Sequence, residues 1–393
     1  MPNFLWPGIY VQEMPGGPRP IEAVGTSTAA FVGEAPNSKA FPNEPRAINN
    51  WEEFRKEFVS EGSVSTPLSH AVFGFFNNGG SRCYAVNVAK QPVNAGLEAL
   101  EAVDDVEILA IPGYTDTASY EAALTHCENL KDRVAILDAP SDVKDIDLLT
   151  KVGAAPVPAK AAKGSEPSTP PPAPPAGLRP RVSDGGYGTF YFPWLVVADP
   201  LSPKNIVTVP PSGHLAGIWA RTDAEVGVHK APANTPVRGA LNLTYRLTNA
   251  EQGELNQMGV NCIRYFGREG ILVWGARTLA DAASEWRYLN VRRLCNMIEK
   301  SIADGTRWVV FQPNNISLWK EIRADVTHFL TQVHRDGGLM GATPQEAFFV
   351  KCDAESNPPD VVEAGKVITI IGLAPVYPAE FVIFQIVQSL AAA

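Results

Sequence analysis

The feature that most constrains this chain is a pair of short apolar segments, one at each end. Residues 381–388, FVIFQIVQ, are rich in β-branched and aromatic side chains and lie five residues from the C-terminus. Residues 8–14, GIYVQEM, form a second strand-like run that PGGPRP separates from the rest of the chain. An apolar terminal strand is a sheet edge that recruits other strands. These ends therefore pair either within one monomer or with the sheets of neighbouring subunits, and the pattern alone leaves both open.

The composition is that of a folded protein, with 45% hydrophobic and 19% charged residues among 393. This length predicts two or three domains. No window reaches the ~18 to 20 uninterrupted apolar residues that span a bilayer, and the N-terminus lacks a basic stretch followed by an apolar one. We therefore expect a soluble protein made in the cytosol. The five cysteines contain no CxxC pair and are predicted to be reduced and mostly buried.

Charge is distributed unevenly along the chain. The net charge is −9, which argues against a nonspecific nucleic-acid binder. Residues 98–147 carry 3 basic and 13 acidic side chains, whereas residues 262–340 carry 11 basic and 8 acidic ones. A basic region on an acidic protein indicates an acidic partner.

A proline-rich insert interrupts the chain at residues 154–182. Residues 154–180 hold 9 of the 34 prolines, and proline lacks the amide donor and fixes φ, so this segment cannot form a helix or an inner strand. We interpret it as an exposed, semi-extended spacer, with a polyproline ligand for a partner as the alternative.

The remaining segments predict a chain of two fold classes. Before the insert, apolar strand-like runs alternate with helical patterns, which is typical of an α/β sheet with some parallel pairs. After it come short strands broken by proline, two amphipathic helices and a final group of strands. We predict an α/β domain over residues 21–248, including the insert, and a C-terminal α+β domain over residues 249–378.

Motifs for catalysis are missing from the sequence. No GxxxxGK[ST], strand-linked GxGxxG, HExxH or GxSxG is present. His126 adjoins Cys127, but neighbours on a helix point to different faces, which argues against a Cys/His pair. The six histidines have no zinc-like spacing. Asp104, Asp105 and Glu107 form a small acidic cluster, which we interpret as a solvated loop and not as a metal site.

Five ordered blocks resemble contractile tail sheath proteins of phages and of phage-tail-like contractile injection systems. The blocks are residues 7–36 (PGIYVQEMPGGPRPIEAVGTSTAAFVGEAP), 191–200 (YFPWLVVADP), 209–234 (VPPSGHLAGIWARTDAEVGVHKAPAN), 261–279 (NCIRYFGREGILVWGARTL) and 288–294 (YLNVRRL). Five blocks in order are more specific than any single short motif. The insert and its flanks, residues 150–185, do not match the family pattern.

The resemblance implies a structural subunit that is not an enzyme and has no cofactor or metal. Sheath subunits polymerise helically around an inner tube, and then shorten and widen to drive it through a target envelope. In the family, an N-terminal arm and a C-terminal strand complete the sheets of neighbouring C-terminal domains. Carried over, the arm is residues 1–20 and the last strand residues 379–393. The linking residues are then Ile9, Tyr10, Val11, Gln12 and Glu13, and Val382, Ile383, Phe384, Gln385, Ile386 and Val387.

The resemblance also implies partners and a location. The partners would be further copies in a helical homo-oligomer, an inner tube protein, a baseplate and a tail terminator or cap protein, with no nucleic acid and no membrane insertion. Assembly would occur in the cytoplasm of the producing bacterium, as part of a virion tail or of a phage-tail-like particle that can be released. Contraction would relax a metastable extended assembly without nucleotide hydrolysis, with residues 15–17 as a hinge of the arm.

The basic balance of residues 262–340 supplies a hypothesis about the tube. We predict that an acidic inner tube is faced by Arg287, Arg292, Arg293, Lys300, Lys320 and Arg323. Modest, salt-screened pairs would guide assembly and release on contraction. The alternative is an ordinary solvated helix face.

Two other classes of function stay open at this stage. One is an α/β enzyme with a cysteine nucleophile, which a preserved pocket and loss of turnover on cysteine substitution would support. The other is a tail-associated binding module displayed through the insert. Deleting residues 155–180 would then abolish binding and leave filaments intact.

Overall fold

The computed structural model of the chain describes residues 20–153, 177–381 and 383. The predicted N-terminal linking residues 9–13 and the C-terminal linking residues 382 and 384–387 lie outside these ranges, as do residues 154–176 of the insert. Ile383 is described, outside any strand and 82% exposed.

Fourteen strands and ten α-helices occur within the described ranges, labelled here in chain order. The strands are β1 Ala29–Gly33, β2 Arg46–Ile48, β3 Cys83–Asn87, β4 Ile108–Ala110, β5 Val134–Asp138, β6 Gly188–Phe192, β7 Leu195–Ala198, β8 Ile206–Val209, β9 Thr235–Pro236, β10 Ala240–Leu243, β11 Val260–Phe266, β12 Gly270–Val273, β13 Phe348–Lys351 and β14 Ile370–Leu373. The helices are α1 Trp51–Phe58, α2 Pro67–Asn78, α3 Val93–Ala99, α4 Thr117–Leu130, α5 Ser212–Glu225, α6 Asn249–Gln257, α7 Leu289–Gly305, α8 Ile316–Arg335, α9 Pro344–Ala347 and α10 Pro359–Glu363.

The chain divides into two compact units. The large unit comprises Val24–Ile298 and Pro375–Ala393, and the small unit comprises Met1–Ala23 and Glu299–Ala374. The predicted start of the C-terminal domain at residue 249 is too early. Strand β11 pairs with β6 in the main sheet of the large unit, so the sequence around residue 260 belongs to the first unit.

A nine-stranded sheet forms the centre of the large unit, in the order β2-β3-β1-β4-β5-β6-β11-β12-β9. The six strands from β3 to β11 in this order run parallel, and the flanking strands β2, β12 and β9 are antiparallel to their neighbours. A second sheet of three antiparallel strands has the order β10-β7-β8. The predicted α/β class is confirmed.

Alternating side chains of the central strands divide the core of the large unit in two. Ala29 and Phe31 of β1 lie in one buried cluster, and Ala30 and Val32 lie in the other. Helices α1, α2 and α5 contribute to the first cluster, and α3, α4 and α6 to the second. A strand covered on both faces requires apolar side chains at every position, which is why these segments read as continuous apolar runs.

Helices α2 and α5 pack closely because glycines lie at their contact. A Cβ atom at Gly213 would overlap the backbone of Ala71. Helix α5 begins beside Asp138, at the end of β5, whose carboxylate accepts hydrogen bonds from the Ser212 backbone N at 2.9 Å and from Ser212 Oγ at 2.7 Å. Asp138 thus satisfies the first turn of a helix whose N-cap, Pro211, has no capping side chain.

The small unit packs helices against a two-stranded antiparallel sheet of β13 and β14. One face of α8 is apolar and buried, with residues that recur at helical spacing. These are Leu318, Ile322, Val326, Phe329, Leu330 and Val333. Both the long helix and the two strands were predicted from the sequence, within a few residues of their bounds.

Candidate assembly surfaces

The β13–β14 sheet is the first candidate surface, because both of its edges are unpaired within the described ranges. Its register joins Phe348 to Leu373 and Lys351 to Ile370. A two-stranded sheet is marginally stable alone, and an unpaired edge presents backbone donors and acceptors to any further strand. Each edge can therefore accept a strand.

The two faces of this sheet differ in burial. Phe348 points inward and is 9% exposed, whereas Phe349 is 57% and Ile370 is 46% exposed. The Phe349 ring covers Gly372 on the opposite strand, so that a side chain at residue 372 would overlap the ring. The outward face is therefore open, with apolar Phe349 and Ile370 beside Lys351, which pairs with Glu355.

The N-terminal arm is rooted in the small unit. Ile21 is 6% exposed and packs against Gly305 at the end of α7, where a Cβ atom would lie 2.8 Å from Ile21 Cγ1. The point at which residues 1–19 leave the described structure is thus fixed to a helix end.

A buried ion pair holds the first residues of the large unit. Arg293 Nη2 lies 2.6 Å from Asp223 Oδ2 and donates to the Thr26 carbonyl oxygen at 2.9 Å. Thr26 Oγ1 donates to the same carboxylate at 2.6 Å. Because the two charged side chains are 3% and 6% exposed, this pair belongs to the interior of the large unit.

Two of the six predicted tube-facing residues are therefore not available to a partner. Arg293 is buried in the ion pair with Asp223. Arg292 is 3% exposed, with its guanidinium carbon 4.0 Å from the Trp286 ring centroid and 4.8 Å from that of Tyr187. The prediction treated both arginines as surface residues. It is wrong for them because aromatic and acidic side chains from distant segments enclose them.

The other four predicted basic residues retain accessible surface. Lys320 and Arg323 are exposed and three residues apart on α8, so they share one face. Lys300 is half-buried near the end of α7, and Arg287 is half-buried with its guanidinium carbon 4.6 Å from the Tyr288 ring centroid. Their predicted contact with a tube remains a prediction.

The C-terminal tail is rooted in the large unit by residues 376–380, here called the strap. Asn290 Nδ2 donates to the Val376 carbonyl oxygen at 2.9 Å, and the Tyr377 and Tyr288 rings meet edge to face at 5.9 Å. Glu380 forms the last contact of the strap. The strap thus fixes the point on the large unit from which the last thirteen residues continue.

Four donors surround the Glu380 carboxylate. Arg277 Nη2 and Nε donate at 2.5 and 2.9 Å, Asn256 Nδ2 at 2.9 Å and Tyr288 OH at 3.4 Å. Burial alone would raise the pKa of Glu380, but hydrogen bonds from Arg277 and Asn256 and the Arg277 charge lower that pKa below its ordinary value. The carboxylate therefore stays ionised at neutral pH.

The insert has a closed base. The Gly153 N–H donates to the Arg179 carbonyl oxygen at 2.8 Å, and the Arg179 N–H donates to the Lys151 carbonyl oxygen at 3.0 Å. Leu178 N–H donates to the Leu148 carbonyl oxygen at 2.8 Å. The chain leaves and re-enters the large unit at one place.

The cysteines lie in the interior of the protein. All five are buried and none forms a disulfide, and burial raises the pKa of Cys83, Cys127 and Cys262, the last to about 12. His126 Nε2 lies 3.3 Å from Arg133 Nη1, and burial, followed by the Arg133 charge, lowers its pKa to about 4. The raised pKa values disfavour the thiolate form of Cys83, Cys127 and Cys262 at neutral pH.

The described residues contain neither a candidate metal site nor a membrane-spanning helix. Among them, no group of three or more His, Cys, Asp or Glu side chains could hold a metal ion. Over the same residues, no helix is long and apolar enough to cross a membrane. In the predicted acidic loop, Asp105 pairs with Arg82 at 3.3 Å.

Sequence reasoning missed both ion pairs that hold the chain ends. Arg277 and Glu380 are 103 residues apart, and Asp223 and Arg293 are 70 apart. The single available signal was Glu380 itself, an acidic residue directly before an apolar run. Nothing in the sequence identifies its partner.

Two family models match adjacent parts of the chain. The phage tail sheath protein central domain matches residues 182–279, and the phage tail sheath C-terminal domain matches residues 281–389. Together they cover more than half of the sequence. The second match includes the predicted C-terminal linking residues 382–387.

Individual proteins show the same likeness. The tail sheath protein of Vibrio phage KVP40 is 28% identical over 211 residues, which is 53% of this chain and 29% of the phage protein. The chain thus spans less than a third of that curated relative. The sheath of the extracellular contractile injection system PVC, contracted, is 28% identical with a TM-score of 0.77, covering 99% of both chains. The contracted helical sheath of the anti-feeding prophage is 28% identical with a TM-score of 0.75, covering 98% of this chain and 99% of the other.

Proposed function

Because the chain belongs to the phage tail sheath family, we propose that it is the subunit of a contractile sheath. It polymerises helically around an inner tube and shortens to drive the tube through a target envelope. One observation carries the proposal: the chain covers nearly the whole length of sheath proteins solved in contracted assemblies. A contact between unlike surfaces that does not close generates a helix of subunits.

The particle is of the injection-system type. The chain aligns in structure with 99% of the PVC sheath protein, at 28% identity and a TM-score of 0.77. We expect assembly in the cytoplasm of the producing bacterium, together with a baseplate and a terminator or cap protein.

Neighbouring copies are joined by strand addition. Residues 9–13 of one copy and 382–387 of another extend the β13–β14 sheet of a third, whose edges are open and whose outward face carries Phe349 and Ile370. Each added strand contributes several backbone hydrogen bonds at a net ~0.5 to 1.5 kcal/mol apiece, besides side-chain burial. Such links hold neighbours together while rigid units move.

Exposed basic side chains face the acidic inner tube in the extended state. Lys320 and Arg323 on α8 are the main candidates, with Lys300 and Arg287 beside accessible surface. Pairs of exposed charges are weak and screened by salt. They favour assembly on the tube and separate when the sheath widens.

Contraction draws on a metastable extended assembly and not on catalysis. The sequence has no phosphate-binding glycine loop, and its cysteines are buried. The enzyme alternative therefore has no supporting observation. The alternative of a binding module falls on residues 154–176, outside the described structure.

Electron microscopy of the purified full-length chain tests the function directly. We expect tubes of stacked subunits at high protein concentration. A variant lacking residues 1–19 and 381–393 should remain dispersed, and variants lacking one tail should form shorter or fewer tubes. Compact closed oligomers of the full chain, or intact tubes without both tails, would contradict the proposal.

A further inference from the structure

The strap ends at Glu380, whose carboxylate meets an arginine that other hydrogen bonds already hold in place. The Arg277 backbone N–H donates to Asn261 Oδ1, and Asn261 Nδ2 donates to the Arg277 carbonyl oxygen, both at 2.7 Å. Arg277 Nη1 donates to the Asn256 carbonyl oxygen at 2.9 Å. Asn261 lies on β11 and is fully buried. The Arg277 backbone is therefore held by the main sheet, and its guanidinium is held by the end of α6 as well as by Glu380.

Exposure increases beyond this contact, although Tyr377 within the strap is already 46% exposed. The Arg277 and Glu380 side chains are 13% and 21% exposed, whereas Phe381 is 73% and Ile383 is 82% exposed. Phe381 and Ile383 thus present apolar side chains to solvent directly after a partly buried ion pair, and an apolar segment of this kind can add to an open sheet edge. Within the described residues, the ion pair is the last contact between the tail and its own large unit.

We propose that the Arg277–Glu380 ion pair is the anchor of the C-terminal linking strand and positions it for the sheet of a neighbouring copy. This inference rests on the proposed function. Glu380 acts as a positioning residue, because it orders residues 376–380 before the strand binds. Ordering the root in advance lowers the entropy lost on association and raises the effective concentration of the strand at its acceptor edge.

The test compares Glu380→Gln with a matched control, Glu121→Gln. Glu121 accepts from Arg181 Nε at 2.7 Å in the same unit, but this pair does not involve the strap. In both variants a charged acceptor of an arginine becomes neutral. The critical concentration for tube formation is measured by sedimentation, and the melting temperature is measured on dispersed protein below that concentration.

We expect Glu380→Gln to raise the critical concentration about tenfold, the effect of losing one charge-assisted hydrogen bond. Glu121→Gln should leave the critical concentration within about twofold of the parent. The two dispersed variants should melt within a few degrees of each other. Equal critical concentrations for both variants would overturn the inference, as would melting of Glu380→Gln lowered enough to account for its weaker assembly.

A second readout does not depend on assembly. Tyr377 is 46% exposed, but its ring contact with Tyr288 and the Glu380 contacts order the backbone around it, so chymotrypsin should cut there at least several-fold faster in dispersed Glu380→Gln than in dispersed parent protein. Unchanged cleavage at Tyr377 overturns the anchor even if tubes form. A parent chain that never forms tubes refutes the proposed function, and with it the assembly role of the anchor, before any variant is compared.

Discussion

Deletion of residues 154–176 tests whether the proline-rich insert contributes to folding or to assembly. The base of the insert is closed by backbone hydrogen bonds between Gly153 and Arg179 and between Arg179 and Lys151. A two-residue Gly-Ser link from Gly153 to Gly177 would keep all of them. The structural prediction is that the large unit folds without the insert.

The expected magnitude follows from loop closure. Replacing 23 residues by two lowers the closure entropy by up to about 2 kcal/mol, because the term grows with the logarithm of loop length. Because the unfolding entropy is about 2.1 cal/mol/K per residue, each kcal/mol shifts the melting temperature of a chain of this size by about 1 to 2 °C. We therefore expect the deletion to be neutral or to raise the melting temperature by a few degrees.

Urea unfolding followed by tryptophan fluorescence measures the change, and electron microscopy of the same sample measures tube formation. A replacement of residues 154–176 by a Gly/Ser segment of equal length is the control, since it changes composition but not loop length. A decrease of more than about 1 kcal/mol in the free energy of unfolding of the deletion variant would refute the reasoning, because a shorter loop costs less entropy to close. Tubes that lose a partner protein on deletion would identify the insert as a binding element.

Three further predictions concern the core and α8. Burial raises the pKa of Asp138 to about 7, so between pH ~4 and ~7 the folded chain keeps a proton that the unfolded chain loses. The free energy of unfolding of the parent should therefore fall relative to that of Asp138→Asn, by ~1.4 kcal/mol per pH unit from pH ~4 to ~7. Parallel urea-unfolding curves at pH 5, 6 and 7 would contradict this. Gly213→Ala should destabilise the protein by ~2 kcal/mol or more, because the added methyl group overlaps α2. Gly253 has open space around it, so Gly253→Ala should be neutral or stabilising by up to ~1 kcal/mol. Similar melting temperatures for the two variants would refute the packing argument. Reversing Lys320 and Arg323 to Glu should reduce sheath assembly on the inner tube and leave tubes formed without it unchanged; normal extended particles would count against a tube contact.

Local patterns predicted the elements of the fold well. Before the insert, continuous apolar runs predicted strands such as β1, whose two faces are both covered, and the helical patterns between them predicted helices such as α1. The domain boundary was less accessible to sequence, because the parallel pairing of β11 with β6 joins segments that no local pattern relates.

Side-chain environments on α7 show the same limit. Arg292 and Arg293 were grouped with exposed basic residues because arginine is usually at the surface. Trp286 stacks on the first, and Asp223 neutralises the second. These partners depend on tertiary structure, as does the contact between Arg277 and Glu380. Sequence therefore identified the tails but not the contacts that fix where they begin.

The two tails begin on different units, since Ile21 packs in the small unit and the strap is fastened to the large one. If each tail is bound by a different neighbour, a pulling force between those neighbours is transmitted through the whole subunit. This force passes from one unit to the other, in series with both attachments. The weakest of these three elements would then limit the tensile strength of the whole lattice.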